Sequence, residues 1–271
     1  MIKLTGVTRE HGFLLPLITC LTGAFAVLPM LTTLLTGLET DVFTGVQGGL
    51  TLHWATTAIY DCIPSIGLSM LLAVSSLLVD LLIGVPCAYA LIRLEGWPRQ
   101  FIDRILILPL AVPGLTLALA LVRSYDGWIS FRQSIGFILC GHVLVTLPLM
   151  CAAVRSALLV NDLRPLEEAA ASLSASFSRR FRDVVLPACL PGMLAGGLQV
   201  ITVSLGEFNL TWLLHTPDHL TLPTMLADAY SNQRIELASA FTGLFFMLIL
   251  PVLLLMQRLI ARYALPMEMS S

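Results

Sequence analysis

The sequence predicts an all-α, polytopic membrane protein with about six transmembrane helices and a helix-turn-helix between the fourth and fifth. Two features of composition and one of patterning carry that prediction. Of 271 residues, 57% are hydrophobic and 12% charged, whereas about a quarter of residues are charged in an ordinary soluble domain. The mean hydropathy is +0.88. Apolar runs recur at lengths that suit a bilayer, since each helical residue rises about 1.5 Å and roughly 20 are needed to cross the hydrocarbon.

Six runs meet that length, at approximately 13–35, 64–92, 105–122, 135–154, 189–214 and 237–260. The third is the shortest and contains Pro109 and Pro113, so a kink or bend is expected there. Lys3 and Arg9 ahead of the first run, with Ala24-Phe25-Ala26 behind it, imitate a secretory leader. Apolar residues continue through Leu28, Met30, Leu31, Leu34 and Leu35, which favours a retained span over a cleaved one.

Cations set the orientation. Arg93, Arg99 and Arg104 lie between runs two and three, and Arg155, Arg164, Arg179, Arg180 and Arg182 between runs four and five. Lys3 and Arg9 precede the first run, and Arg258 and Arg262 close the last, leaving only Arg123, Arg132 and Arg234 for the other side. Both termini and the 155–188 loop are therefore assigned to the cytoplasm, in a bacterial inner membrane.

Several chemistries are excluded or left without support. The only lysine is Lys3, so the chain has no P-loop of its own. No HExxH or GxSxG occurs, and no catalytic residues are assigned. The six cysteines are scattered without a CxxC pair and act as small hydrophobes. His215 and His219 flank Pro217, which breaks the helical spacing a metal pair would need, so no metal site is assigned. Nucleic acid is not expected as a partner.

The 155–188 loop is amphipathic in an otherwise oily chain. Asn161 or Asp162 can cap a helix starting near Pro165, and Glu167 and Glu168 place negative charge at the positive end of its dipole. Ala169, Ala170 and Ala171 extend it with small side chains that let another surface approach. Ser174-Ala175-Ser176 breaks the pattern, and Ser176 can cap a second helix carrying Phe177, Phe181, Val184 and Val185, closed by Pro187 and Pro191. A linker needs only a few residues, so a loop of this length with two helix starts reads as a docking surface.

These residues resemble the signature of the permeases of binding-protein-dependent ABC importers: Glu-Ala-Ala, three residues, Gly, nine residues, then Ile-x-Leu-Pro. Glu168, Ala169, Ala170, Leu186 and Pro187 match at the required spacing, and Val184 takes the Ile position. Ser174 replaces the Gly; if that Gly supplies a left-handed turn, Ser should cost on the order of 1 kcal/mol. Gly84-Val85-Pro86-Cys87-Ala88-Tyr89-Ala90 and Leu108-Pro109-Leu110-Ala111-Val112-Pro113-Gly114 extend the likeness across 65–262.

The resemblance implies a permease domain over 61–262, with 1–60 as an N-terminal tail, first span and extracytoplasmic loop, and 263–271 as a tail. It implies pairing with a second permease, two cytoplasmic ATPase subunits and an external substrate-binding protein. ATP is then used by the partner ATPase, and the chain binds no cofactor. Glu168, Ala169, Ala170 and Ser174 would belong to the coupling element. Arg179 and Arg180 would flank it, facing either acids on the ATPase or anionic headgroups.

Asp80 and Glu207 fall inside predicted spans, where an ionisable group is a functional candidate by default. With Asn209 they are the pathway candidates. Glu207 lies in Ser204-Leu205-Gly206-Glu207-Phe208-Asn209, similar to the fifth span of permeases for polyamines, ferric iron, thiamine, phosphonates and sulfate, and it either lines the pathway or ties two helices. Gly192, Gly196 and Gly197 give a small face for close helix packing, and 218–223 is a candidate contact for the binding protein. Polyamine, ferric iron, phosphonate and thiamine are the expected cargo classes, in that order. The competing reading is a secondary transporter or channel without an ATPase, for which inverted repeats would be the sign; none is evident between the halves. A third is a purely structural membrane subunit that uses the loop as a docking patch.

Overall fold

A computed structural model describes residues 14–160 and 163–268. Lys3, Arg9 and the capping candidates Asn161 and Asp162 lie outside the described residues. The helices are α1 (Leu14–Thr36), α2 (His53–Arg93), α3 (Trp97–Ala111), α4 (Gly114–Ser124), α5 (Ile129–Arg132), α6 (Ile135–Val160), α7 (Leu163–Ser172), α8 (Phe177–Arg180), α9 (Leu186–Gly206), α10 (Thr211–Leu214), α11 (Leu222–Ser231) and α12 (Ile235–Glu268). Among the described residues, β structure is limited to one isolated bridge, Glu39 to Leu50.

Five helices are long and apolar enough to cross a membrane, and α3 with α4 makes a sixth if counted as one broken span, bent by 107°. The break has a local cause. Proline disfavours the helical conformation of the residue before it and removes a backbone donor, and Val112, before Pro113, is extended at φ −97°, ψ 132°. The expected kink is thus a sharp turn.

Two predicted boundaries need correction. The second span begins at His53, not 64, and Pro64 lies inside α2. The fifth stops at Gly206, not 214, because Glu207 turns extended at φ −72°, ψ 112° and its Oε1 accepts the Leu210 N–H at 2.7 Å. The last helix runs to Glu268, and its membrane-length part, Ile235–Arg258, matches the predicted sixth run.

The chain divides into two compact units, Met1–Asp61 with Leu226–Phe245, and Cys62–Met225 with Phe246–Ser271. In the first unit, Gly37 lies against the backbone of Ser239 and Ala240, and Glu236 Oε1 accepts the Val42 N–H at 2.8 Å.

The second unit has an apolar cluster at each end. One joins Val85 and Ala88 of α2, Met150, Val154 and Leu158 of α6, Leu163 of α7, and Cys189 and Val200 of α9. The other joins Leu72, Ala118, Phe137, Ile138, Leu210 and Leu214. At the first end Arg155 of α6 pairs with Asp103 of α3; at the second, Tyr125, just past α4, meets the Phe137 ring of α6 at 5.9 Å. The broken pair α3–α4 therefore connects the two ends of α6, as one crossing would. The Arg-rich segments 93–104 and 155–182 lie at a common end.

The predicted small face of the fifth span packs on α6. A Cβ on Gly192 would sit 2.6 Å from Val154 Cα and 2.7 Å from the Ala153 carbonyl, and one on Gly196 would sit 2.8 Å from Met150 Sδ. Such residues let helix backbones approach closely in lipid.

Two helix ends adopt the Schellman geometry, in which a residue in the left-handed region lets two amides reach back to the last turn. At α7 that residue is Ser174, at φ 61°, with its N–H on the Ala171 carbonyl at 2.8 Å and the Ala175 N–H on Ala170 at 3.1 Å. At α11 it is Gln233, at φ 60°, with N–H groups of Gln233 and Arg234 returning to Tyr230 and Ala229. The turn expected of a glycine is therefore built with serine.

Thermal unfolding of three variants in detergent checks these points. Ser174→Gly should raise stability by about 1 kcal/mol, by removing the Cβ from a left-handed residue. Gly192→Ala should cost about 1–3 kcal/mol by forcing α6 and α9 apart. Gly23→Ala, where nothing lies within 4 Å of the new Cβ, should be neutral or slightly stabilising.

Candidate functional site

The segment from α7 to the start of α9 is a helix, a four-residue turn and a second helix. Ser176 caps the second helix as expected, its Oγ accepting the Arg179 N–H at 3.4 Å. Pro187 and Pro191 do not close it, contrary to the sequence reading. α8 passes through a π-turn at Phe181–Val185 directly into α9, so loop and span form one continuous helix. Pro187 is the second residue of α9, immediately after that π-turn.

The two adjacent glutamates of α7 lie on different faces, because successive helical residues are rotated by about 100°. Glu168 is exposed with Ala169, and its carboxylate has no ion pair among the described residues. Glu167 is buried, at 5% exposure. It accepts the Tyr89 hydroxyl at 2.7 Å and pairs with Arg93, whose guanidinium stands 5.1 Å from the Tyr89 ring centre. Tyr89 in turn meets Phe181 edge-on at 5.6 Å. The sequence reading used Glu167 only as a helix-dipole residue. Tyr89 and Arg93, four residues apart at the end of a predicted span, were the available signal for a partner.

The outer surface of the loop is apolar at its tip and ionic at its flank. Leu173 is 85% exposed and Phe177 63%, beside exposed Ser174. Arg179 and Arg182 both approach Asp183, at 3.6 and 2.9 Å. Arg180 is half-buried, and its Nε has no hydrogen-bond partner among the described residues.

The interior candidates are not brought together. Asp80 is fully buried on α2, and neither carboxylate oxygen has a hydrogen-bond partner among the described residues. Its neighbour Thr146 of α6 donates instead to the His142 carbonyl at 2.8 Å. Glu207 and Asn209 occupy the break after α9, beside Gly114 at the start of α4: a Cβ there would lie 3.1 Å from Asn209 Cβ and 3.9 Å from Glu207 Oε1. Two helix breaks therefore meet.

His142 was missed by sequence reasoning, although the rule that singled out Asp80 applies to it equally. It is 1% exposed, with Nδ1 2.7 Å from Ser204 Oγ and Nε2 2.9 Å from Thr211 Oγ1. One ring thus ties α6 to both sides of the α9–α10 break. The predicted loop 218–223 is pinned at its end, where the Leu222 N–H donates to Ser69 Oγ of α2 at 2.9 Å.

The chain is similar in sequence to several known proteins. The molybdenum transport system permease protein ModB of Haemophilus influenzae is 36% identical over 161 residues, covering 55% of this chain and 70% of that protein. The probable sulfate transport system permease protein cysT of Chlorella vulgaris is 29% identical over 180 residues, 62% and 66% of the two chains. The putative 2-aminoethylphosphonate transport system permease protein PhnV of Salmonella typhimurium is 24% identical over 237 residues, 87% and 88%. A family model described as binding-protein-dependent transport system inner membrane component matches residues 80–264. With well over half of its length inside that match, the chain belongs to this family, the membrane-spanning permeases of ABC importers.

Proposed function

We propose that the chain couples to a cytoplasmic ATPase through the α7–α8 segment, with Glu168, Ala169, Ala170 and Ser174 at the contact. The observation that carries this reading is the outward face of α7 and the turn that follows it. Exposed Leu173 and Phe177 stand beside small exposed residues, and Glu168 is exposed with no ion pair among the described residues. An apolar knob rimmed by charge is the usual form of a docking surface. Because this segment continues unbroken into α9, its displacement is passed directly to a membrane span. ATP is bound and hydrolysed by the partner chains, and this chain supplies the pathway in a pair with a second permease.

We place the loop, with both termini, on the cytoplasmic face of an inner membrane. The convergence of 93–104 and 155–182 at a common end supports this, since positive loops stay inside. An external binding protein then delivers the solute at the opposite end. Arg179 and Arg180 flank the ATPase contact. On the pathway we place exposed Asn209, at the meeting of the two helix breaks. Glu207 holds that break through the Leu210 N–H, and Asp80 packs within the wall.

The cargo we infer is a tetrahedral oxyanion. Three relatives are named for molybdenum, sulfate and 2-aminoethylphosphonate transport, and molybdenum, as molybdate, shares the tetrahedral anionic group of the other two. Among the four classes the sequence suggested, this favours phosphonate over polyamine, ferric iron and thiamine.

Two experiments test these readings. Tagged wild type purified in mild detergent should bring a P-loop ATPase. Glu168→Lys should lose it, with affinity reduced by at least about tenfold, or 1.4 kcal/mol. A folded wild type with no ATPase companion would reject coupling and favour a secondary transporter. In uptake assays, molybdate, sulfate and 2-aminoethylphosphonate should be taken up or compete with one another, and putrescine and thiamine should not; the reverse pattern would reject an oxyanion cargo.

A further inference from the structure

Resting on the coupling reading above, we propose that Tyr89, Arg93 and Glu167 form the joint through which movement of the docking loop is imposed on α2. Glu167 is thereby a positioning residue for transport, distinct from the docking residue Glu168 beside it.

The geometry is specific. Glu167 leaves α7 on a different face from the docking surface, buried, and takes both of its partners from the last turn and a half of α2. The Tyr89 ring also meets Phe181, which belongs to the second arm of the helix-turn-helix. That arm carries Phe177 outward, its ring 6.3 Å from Phe181 in a stacked arrangement. Both arms of the loop therefore grip one end of one helix.

A purely apolar contact could slide as the loop moves. A buried carboxylate held by a hydroxyl and a guanidinium cannot shift without leaving charge unpaired in a low dielectric, so α7 and the end of α2 are constrained to move together. From Arg93 the helix α2 runs back past Asp80 to Ser69, which accepts the Leu222 N–H beyond the α9–α10 break. α2 is thus a continuous helical connection from the loop to the far side of the second unit, independent of the direct route through α9. The binding energies that ATP and the external protein contribute can be linked only through an element that both sites bias.

The test uses the complete complex in lipid nanodiscs, with the external binding protein presented with molybdate, sulfate and 2-aminoethylphosphonate in turn. ATP hydrolysis is read with and without the binding protein. Glu167→Gln keeps an acceptor for Tyr89 and removes the charge, and Tyr89→Phe removes the hydroxyl alone. Both should retain the ATPase subunits in wild-type amount and keep basal hydrolysis within about twofold, while stimulation by loaded binding protein falls at least about fivefold, the lower end of ordinary coupling. Wild-type stimulation in Glu167→Gln would overturn the proposal. Loss of the ATPase from that variant would also overturn it, because Glu167 would then belong to the docking surface. If Glu167→Gln fails to fold, Tyr89→Phe decides by the same readout. A wild-type complex lacking any ATPase would remove the coupling reading itself, and the joint with it, whereas a coupled wild type beside a coupled Glu167→Gln removes only the joint.

Discussion

Inside a bilayer no water is available to satisfy backbone amides and carbonyls, and every interruption of a helix must be compensated by the protein itself. The chain meets that constraint at each break by a different local device. At 112–113 the proline removes a donor that would otherwise be stranded. At 207–210 the Glu207 carboxylate takes the Leu210 N–H, and His142 holds Ser204 on one side and Thr211 on the other. Glu207, which sequence rules single out as a functional candidate, is thus also what makes an interrupted span tolerable.

The same constraint separates the roles of neighbouring residues. Glu167 and Glu168 are chemically identical and adjacent, yet one is buried against Tyr89 and Arg93 and the other faces outward. Only the rotation of α7 about its axis decides which does which. That rotation is fixed by Leu163 and Glu167 packing inward and by the cap at Ser174. Close contact of Gly192 and Gly196 with α6 similarly fixes where α9 stands, and therefore where the loop that feeds into it is held.

The sequence reading failed where proline was treated as a boundary. Pro64, where the second run was begun, lies within α2, and Pro187 and Pro191 lie at the start of and within α9. Membrane helices tolerate proline because neighbouring helices, side chains and local π adjustments can re-satisfy the freed backbone groups. Proline does terminate a helix at Val112, where the preceding residue turns extended. The fifth span ends early for a cause invisible to hydropathy: apolar residues continue past Gly206, but a side chain captures a backbone amide and turns the chain.

Composition, the lengths of the apolar runs and the placement of arginines determined by themselves that this is a helical membrane protein, roughly where its spans lie, and which loop stands apart. The spacing from Glu168 to Pro187 pointed to the family that the match over residues 80–264 shows. These are properties of one-dimensional pattern, set by bilayer thickness and helical periodicity. Tertiary structure decided which of two adjacent glutamates is buried, that Asp80 and Glu207 occupy separate environments, and that His142 bridges a helix break. It also decided that the third apolar run is two helices, α3 and α4, bent by 107° at Val112–Pro113. Those outcomes depend on contacts between residues tens of positions apart, whose partners are selected by packing and burial, and no local pattern encodes them.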